Sequence, residues 1–267
     1  LLPVLWWKMP IPMNFCLNDF ERSGVIMKLA LEHVSKSYRV EGNAVAVLQD
    51  ISLGVAPGEF ISLLGPSGCG KSTALSILAG LIKPDSGQVL CPGKVSHMPQ
   101  RDLLLPWRTL LDNVALPLEL AGQSKENARA SALSWLPEFG LDGFASCWPR
   151  QLSGGMRQRA ALLRTFLHGG EFLLLDEPFG QLDAMTKGNL QQWLAQEWEK
   201  WQRGVLFVTH DIDEAILLSD KVYVMSSRPG QILGEVEIQL PRPRHRRQQN
   251  EQAFLAAKNQ VWNLLSL

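Results

Sequence analysis

The run Gly65-Pro66-Ser67-Gly68-Cys69-Gly70-Lys71-Ser72-Thr73 constrains this chain more than any other stretch, because it places the spacing G-x-x-x-x-G-K-[ST] between an apolar run and a helical one. Glu59 to Leu64 reads as a short buried strand after a Pro57-Gly58 turn. Lys71 to Ala79 reads as the helix that follows, closed by Gly80. Glycines let such a loop curl so that successive N–H groups point inward, and the positive end of the helix adds about 1 kcal/mol for an anion. Lys71 supplies a full charge, the Ser72 hydroxyl is expected on Mg²⁺, and Thr73 can reach an inner phosphate. Average residue usage produces this spacing by accident in about one chain per hundred of this size, and the strand-to-helix context makes accident rarer still.

Around the loop the chain reads as α/β. Lys28 to Val55 alternates apolar and polar residues, which predicts antiparallel strands with one wet face. Three short apolar runs, Phe172 to Leu175, Val205 to Val208 and Val222 to Met225, are separated by helical patterns and predict a parallel sheet covered on both faces. Residues 101–163 turn Leu- and Ala-rich at helical spacing and read as an inserted helical subdomain. From Ala184 to Trp201, Leu190, Trp193, Leu194, Trp198 and Trp201 recur at helical steps, with Gly204 as the stop. That Trp stripe reads as packing. Arg242, Arg244, Arg246 and Arg247 read as a solvated basic linker before a final helix, in a tail spanning residues 239–267.

Composition removes several classes of function. Lys plus Arg and Asp plus Glu number 26 each, so no global field exists to hold nucleic acid, and any anion must be gripped locally. The 46% hydrophobic content supports a real core. Cys16, Cys69, Cys91 and Cys147 lack a metal-ligand or disulfide spacing, as in a reducing compartment. No window approaches the roughly 18 consecutive apolar residues of a spanning helix, so a role in transport requires a partner. Leu1 to Trp7 is apolar but interrupted by proline and lacks basic residues ahead of it; residues 1–26 are expected to be a disordered extension, with a peripheral membrane contact through Trp6 and Trp7 as the alternative. The folded domain is expected to begin at Met27 and to run to residue 238.

Two further segments carry chemistry. Phe172-Leu173-Leu174-Leu175-Asp176-Glu177 delivers two carboxylates at the C-terminal end of a strand, where open α/β sheets bind ligands. Neighbours on a strand point to opposite sides, so Asp176 is expected to support a Mg²⁺ shell and Glu177 to polarise an attacking water. Leu152-Ser153-Gly154-Gly155-Met156 opens an amphipathic helix with Ser153 as N-cap. In this order and spacing the three segments resemble the ATPase subunits of ABC transporters, over about residues 28 to 235.

The resemblance implies a P-loop NTPase core of ABC type with an antiparallel β subdomain, and ATP with Mg²⁺ as its ligands. It further implies that Tyr38 stacks on adenine, that Gln100 touches Mg²⁺ or the attacking water, that His210 contacts the γ-phosphate, and that Asp183 communicates across a dimer interface. Two copies are expected to face each other head to tail, with ATP on one phosphate loop covered by Ser153, Gly154 and Gly155 of the other. Met156 departs from the glutamine frequent at the end of the signature, and Gln181 from a commoner small residue. Leu105-Pro106-Trp107, Leu111-Asp112-Asn113-Val114 and Ser226-Ser227-Arg228-Pro229-Gly230 resemble the nitrate, sulfonate and taurine import branch, which also handles pyrimidine thiamine precursors. That branch implies permease subunits, a separate solute-binding protein and a place on the cytoplasmic face of the membrane. An exporter ATPase is the alternative. A soluble ABC-type ATPase fits poorly, because roughly 80 residues separate Lys71 from Ser153 without room for a long coiled coil.

Overall fold

A computed structural model describes residues 28–266. The expected extension at 1–26 and the boundary at Met27 lie outside the described residues. The chain runs β1 (Leu29–Val40), β2 (Asn43–Val55), β3 (Phe60–Leu64), α1 (Lys71–Leu78), β4 (Ser86–Leu90) and β5 (Val95–Met98). Next come α2 (Leu110–Leu120), α3 (Lys125–Trp135), α4 (Gly154–Leu167), β6 (Phe172–Asp176), α5 (Ala184–Trp201) and β7 (Gly204–Thr209). It ends with α6 (Ile212–Leu218), β8 (Lys221–Met225), β9 (Ile232–Glu237) and α7 (Gln252–Leu265).

β1 and β2 form the antiparallel pair that the alternation predicts, from Leu29 opposite Val55 to Val40 opposite Asn43. Glu41 and Gly42 join them, both at positive φ, the requirement of a type I′ hairpin turn. β4 pairs with the other edge of β1 to complete a three-stranded sheet. The second sheet has the order β5-β6-β7-β3-β8-β9, parallel except for β9 at one edge.

This second sheet is buried on both faces, which is why its central strands are continuous apolar runs. Leu173 and Leu175 of β6 pack with Phe207 against the helices α2 to α5, while Phe172 and Leu174 face α1 and the β1–β2 hairpin. A third cluster joins β8, β9 and α6 to Phe254, Ala257 and Val261 of α7. Residues 101–163 contain no strand. They hold α2, α3 and most of α4, which continues to Leu167. The Trp stripe packs: Trp201 stacks on Phe166 at 4.0 Å, and Trp193 meets Phe139 edge-on at 4.4 Å.

Two expectations are corrected. Gly204 does not stop α5; Gln202 does, at φ 52°. Gly204 instead opens β7, where an added Cβ would lie 2.7 Å from the Phe172 ring and 2.8 Å from the Ala56 carbonyl. Two of the four arginines of the basic run, Arg242 and Arg244, are not solvated either, while Arg246 and Arg247 are exposed. Arg244 is buried and donates to the carbonyls of Ile216, Ser219, Ile238 and Leu240, and burial lowers its pKa to about 10. Arg242 stacks 4.2 Å over the Trp198 ring and bonds Asp220 and the Leu218 carbonyl. Together they satisfy carbonyls at the C-terminal end of α6, where a cation is also favoured by the helix dipole.

Candidate active site

The phosphate loop leaves β3 at Gly65 and enters α1 at Lys71. No side chain caps that helix, so its first N–H groups face the concave side of the loop without an internal partner. Gly70 sits at φ 110° and an added Cβ would lie 2.6 Å from Leu48 Cδ2, so only glycine fits there. Lys71 is buried, and its ammonium donates to the carbonyls of Gly65 at 2.7 Å and Pro66 at 2.8 Å. Carbonyl oxygens hold the cation in place without neutralising it.

Asp176, the last residue of β6, is 3% exposed and lies beside the Ser72 hydroxyl. Burial raises its pKa above the usual carboxylate value; neighbouring Glu177 adds to the shift, while Ser72 and the Lys71 charge oppose it. A buried carboxylate beside a hydroxyl is a pair of hard oxygen donors. That set suits Mg²⁺, which takes one or two protein oxygens and draws the rest from phosphate and water. The residues present therefore fit the ion.

Glu177 leaves the strand direction. Its φ is 48°, its N–H bonds the Val208 carbonyl of β7 at 3.1 Å, and its carbonyl accepts from Gly180 N–H at 3.2 Å. The carboxylate lies between two side chains: Gln100 Nε2 donates to Oε2 at 3.3 Å, and His210 Nδ1 is 3.3 Å from Oε1. Gln100 follows β5 and His210 follows β7, so the parallel sheet brings both beside the end of β6. His210 keeps 61% of its side chain exposed. It lines a cleft with Glu177, Gly180, Leu182, Lys187 and Glu214.

Ser153 caps α4 as expected, accepting from Met156 N–H at 3.2 Å, and is itself exposed. Gly154 and Gly155 lie against the segment after Glu177: added Cβ atoms would approach Gln181 Oε1 at 3.0 Å and Leu182 Cδ2 at 3.2 Å. Asp183 caps α5, accepting from Met185 and Thr186 N–H at 3.1 and 3.0 Å, and these hydrogen bonds hold its carboxyl below the usual pKa. Tyr38 lies on β1, 38% exposed, with the Lys36 ammonium 5.7 Å from its ring centre. The Ser72 hydroxyl and the Lys71 charge thus lie near enough to Asp176 to act on it, and Gln100 and His210 meet at Glu177, while no hydrogen bond ties Tyr38, Ser153 or Asp183 to either group among the described residues.

Sequence reasoning missed Gln158. It is 4% exposed on α4, donates Nε2 to the Glu177 carbonyl at 2.9 Å, and accepts from Gln181 N–H through Oε1 at 2.8 Å. One amide thereby ties the signature helix to both ends of the turn behind Glu177. A signal existed: Gln158, Ala161, Leu162 and Thr165 share the buried face of α4, and a glutamine on that face requires polar partners.

A glycine phosphate loop at the C-terminal edge of a parallel sheet, with paired carboxylates at the same edge after β6, defines a nucleoside-triphosphate-binding α/β protein. Residues 48–180 match the profile described as ABC transporter. An uncharacterized ABC transporter ATP-binding protein of Methanocaldococcus jannaschii is 43% identical over 92% of this chain and 94% of its own. The formylaminopyrimidine import ATP-binding protein of Halalkalibacterium halodurans is 46% identical over 80% of this chain and 84% of its own. A dimeric ATP-binding cassette solved in a post-hydrolysis state with ADP and Pi superposes with a TM-score of 0.74 at 31% identity, over 80% of this chain and all of that one. The chain belongs to the ABC transporter family as an ATP-hydrolysing, ATP-binding subunit. No helix among the described residues is long and apolar enough to cross a membrane.

Proposed function

We propose that this subunit energises the import of a small polar solute, working from the cytoplasmic face of the membrane with permease subunits and a separate solute-binding protein. Support for import comes from the relatives named for formylaminopyrimidine and aliphatic sulfonate import, the latter from Bacillus cereus at 39% identity over 88% of this chain and 94% of its own. The motifs around Trp107, Asn113 and Arg228 point to the same branch.

In this reading ATP lies with its phosphates on the 65–73 loop and its adenine on Tyr38. Lys71 leaves the Gly65 and Pro66 carbonyls for the β- and γ-phosphates, a stronger partner for an ammonium than neutral oxygen. Ser72, Asp176 and Gln100 would hold Mg²⁺, which would supply positive charge to offset that of the phosphates. Glu177 accepts hydrogen bonding from the attacking water and takes its proton as the water oxygen bonds to the γ-phosphorus and the bond to the bridging oxygen breaks, leaving ADP and phosphate. With His210 Nδ1 turned to Glu177, its Nε2 is the nitrogen left for the γ-phosphate.

A second copy closes the site. One loop covers only one side of a triphosphate, and the capped N-terminus of α4 from a twin adds donors at Ser153, Gly154 and Gly155. Asp183 lies near that junction and carries the signal between the copies. Loss of the γ-phosphate removes those contacts, and the pair loosens.

The observation that carries the reading is the Glu177 carboxylate held between Gln100 and His210. Phosphate release from Mg-ATP by the purified chain, alone and reconstituted with its permease, is the test. Absence of both nucleotide retention and phosphate release in both preparations refutes it.

A further inference from the structure

The segment Ser226-Ser227-Arg228-Pro229-Gly230 lies outside every role assigned above, yet it is built against the back of the phosphate loop. The Gly230 backbone is tied to β2 on both sides, with its N–H on the Val47 carbonyl at 2.9 Å and its carbonyl accepting Gln49 N–H at 3.0 Å. An added Cβ at Gly230 would fall 2.2 Å from the Cys69 carbonyl, so the two segments touch backbone to backbone. Ser226 Oγ fixes the turn internally, reaching the Ser227 carbonyl at 2.8 Å and accepting Gln231 N–H at 3.0 Å. Across this junction Arg228 Nε and Nη2 both donate to the Gly68 carbonyl, at 3.2 and 3.0 Å. That carbonyl is the guanidinium's only hydrogen-bond partner among the described residues.

A carbonyl oxygen and the next residue's N–H share one planar trans peptide and point in opposite directions. Holding the Gly68 oxygen on a guanidinium therefore fixes the direction of the Cys69 N–H. In this structure that N–H reaches only the Pro66 carbonyl, at 3.4 Å, a long bond readily exchanged for a phosphate oxygen. A cationic donor on the oxygen also polarises the peptide and strengthens its N–H as a donor. Gly68 takes φ 77°, a conformation glycine adopts freely and leaves freely, so the loop needs an external restraint to keep this peptide in place.

We infer that Arg228 is a positioning residue for the triphosphate: by clamping the Gly68 carbonyl it presets the phosphate loop, and it acts on nucleotide affinity more than on the chemical step. The inference rests on the reading of residues 65–73 as the ATP site. Gln and Lys variants at 228 separate the possibilities, because lysine keeps the charge but cannot donate twice from a planar fork.

The test is a direct titration of the full-length chain with ATP and Mg²⁺, steady-state hydrolysis, and hydrogen exchange of the 65–70 segment without nucleotide. Arg228→Gln is expected to raise the Kd and KM for ATP about fivefold, because a neutral amide can replace at most one of the two donations to the Gly68 carbonyl, while kcat at saturating ATP changes less than twofold. Exchange in 65–70 should quicken in the same variant, and Arg228→Lys should recover only part of the affinity. An unchanged Kd in Arg228→Gln, or full recovery by lysine, overturns the inference. A wild-type chain that fails to bind ATP instead refutes the site itself, so the two failures are distinguishable.

Discussion

Replacing Gln158 by leucine isolates what holds Glu177 in place. The two side chains have similar volume, so the helix α4 keeps its packing, but both amide bonds disappear: the donation to the Glu177 carbonyl and the acceptance from Gln181 N–H. Each neutral bond contributes about 1 kcal/mol net, and a partner left buried without a replacement adds to the loss, so the variant should be less stable by about 2 kcal/mol. In a chain of this size that lowers Tm by about 5 °C. The catalytic effect should be larger in proportion. Glu177 sits at φ 48°, a conformation an L-residue keeps only under restraint, and two of its restraints are this amide and the Val208 carbonyl. Freed on one side, the carboxylate drifts from Gln100 and His210, and misplacement of that kind lowers kcat about tenfold or more. Denaturant unfolding of the nucleotide-free chain and steady-state ATP hydrolysis measure the two numbers. A stability change under about 0.5 kcal/mol with unaltered kcat refutes the reasoning.

Three other substitutions probe the remaining parts. Glu177→Gln keeps the shape of the side chain and loses the base, so turnover should fall about 100-fold or more while ATP binding persists and an ATP-bound dimer accumulates in gel filtration; wild-type turnover removes Glu177 from its role. Lys71→Ala deletes the buried ammonium and should weaken ATP binding about tenfold to 100-fold in a direct titration; an unchanged affinity counts against the phosphate contact. Asp176→Asn should abolish Mg²⁺-dependent turnover yet raise the Tm of the nucleotide-free chain at pH 7. The sign follows from burial: folding raises the carboxyl's pKa above 3.8, the folded state holds the proton more firmly, and stability falls as pH rises through that window. The Tm advantage of the variant should shrink as the pH approaches 4, and an advantage that grows instead refutes the assignment.

The strands that were legible are those buried on both faces. β3, β6, β7 and β8 carry apolar runs because helices or the hairpin cover each side, and the phosphate loop and the Asp176-Glu177 pair mark the ends of two of them. β4, β5 and β9 escaped notice because each lies at an edge of its sheet. Ser86-Gly87-Gln88-Val89-Leu90 has no fully buried residue, and β5 spans only four residues, one of them a serine buried by hydrogen bonding to Gly170 N–H. Gln100 and His210 were identified by resemblance, but their meeting at one carboxylate depends on the strand order, which no local pattern states. Gln158 and Arg244 were missed for a common reason. A polar side chain on a buried face has no evident purpose until its partners are known, and the distant ones, Glu177 and Gln181 for Gln158 and Ile216 and Ser219 for Arg244, lie 19 to 28 residues away along the chain.

Arg242 and Arg244 also decide how short a working version of this subunit can be made. A fragment trimmed to end with β9 would strip the C-terminal turn of α6 of the guanidinium donors on Ile216, Leu218 and Ser219, and would expose the apolar surface that Phe254 and Val261 cover. α6 begins two residues after His210. The tail is therefore a buttress for α6, the helix that begins just past His210.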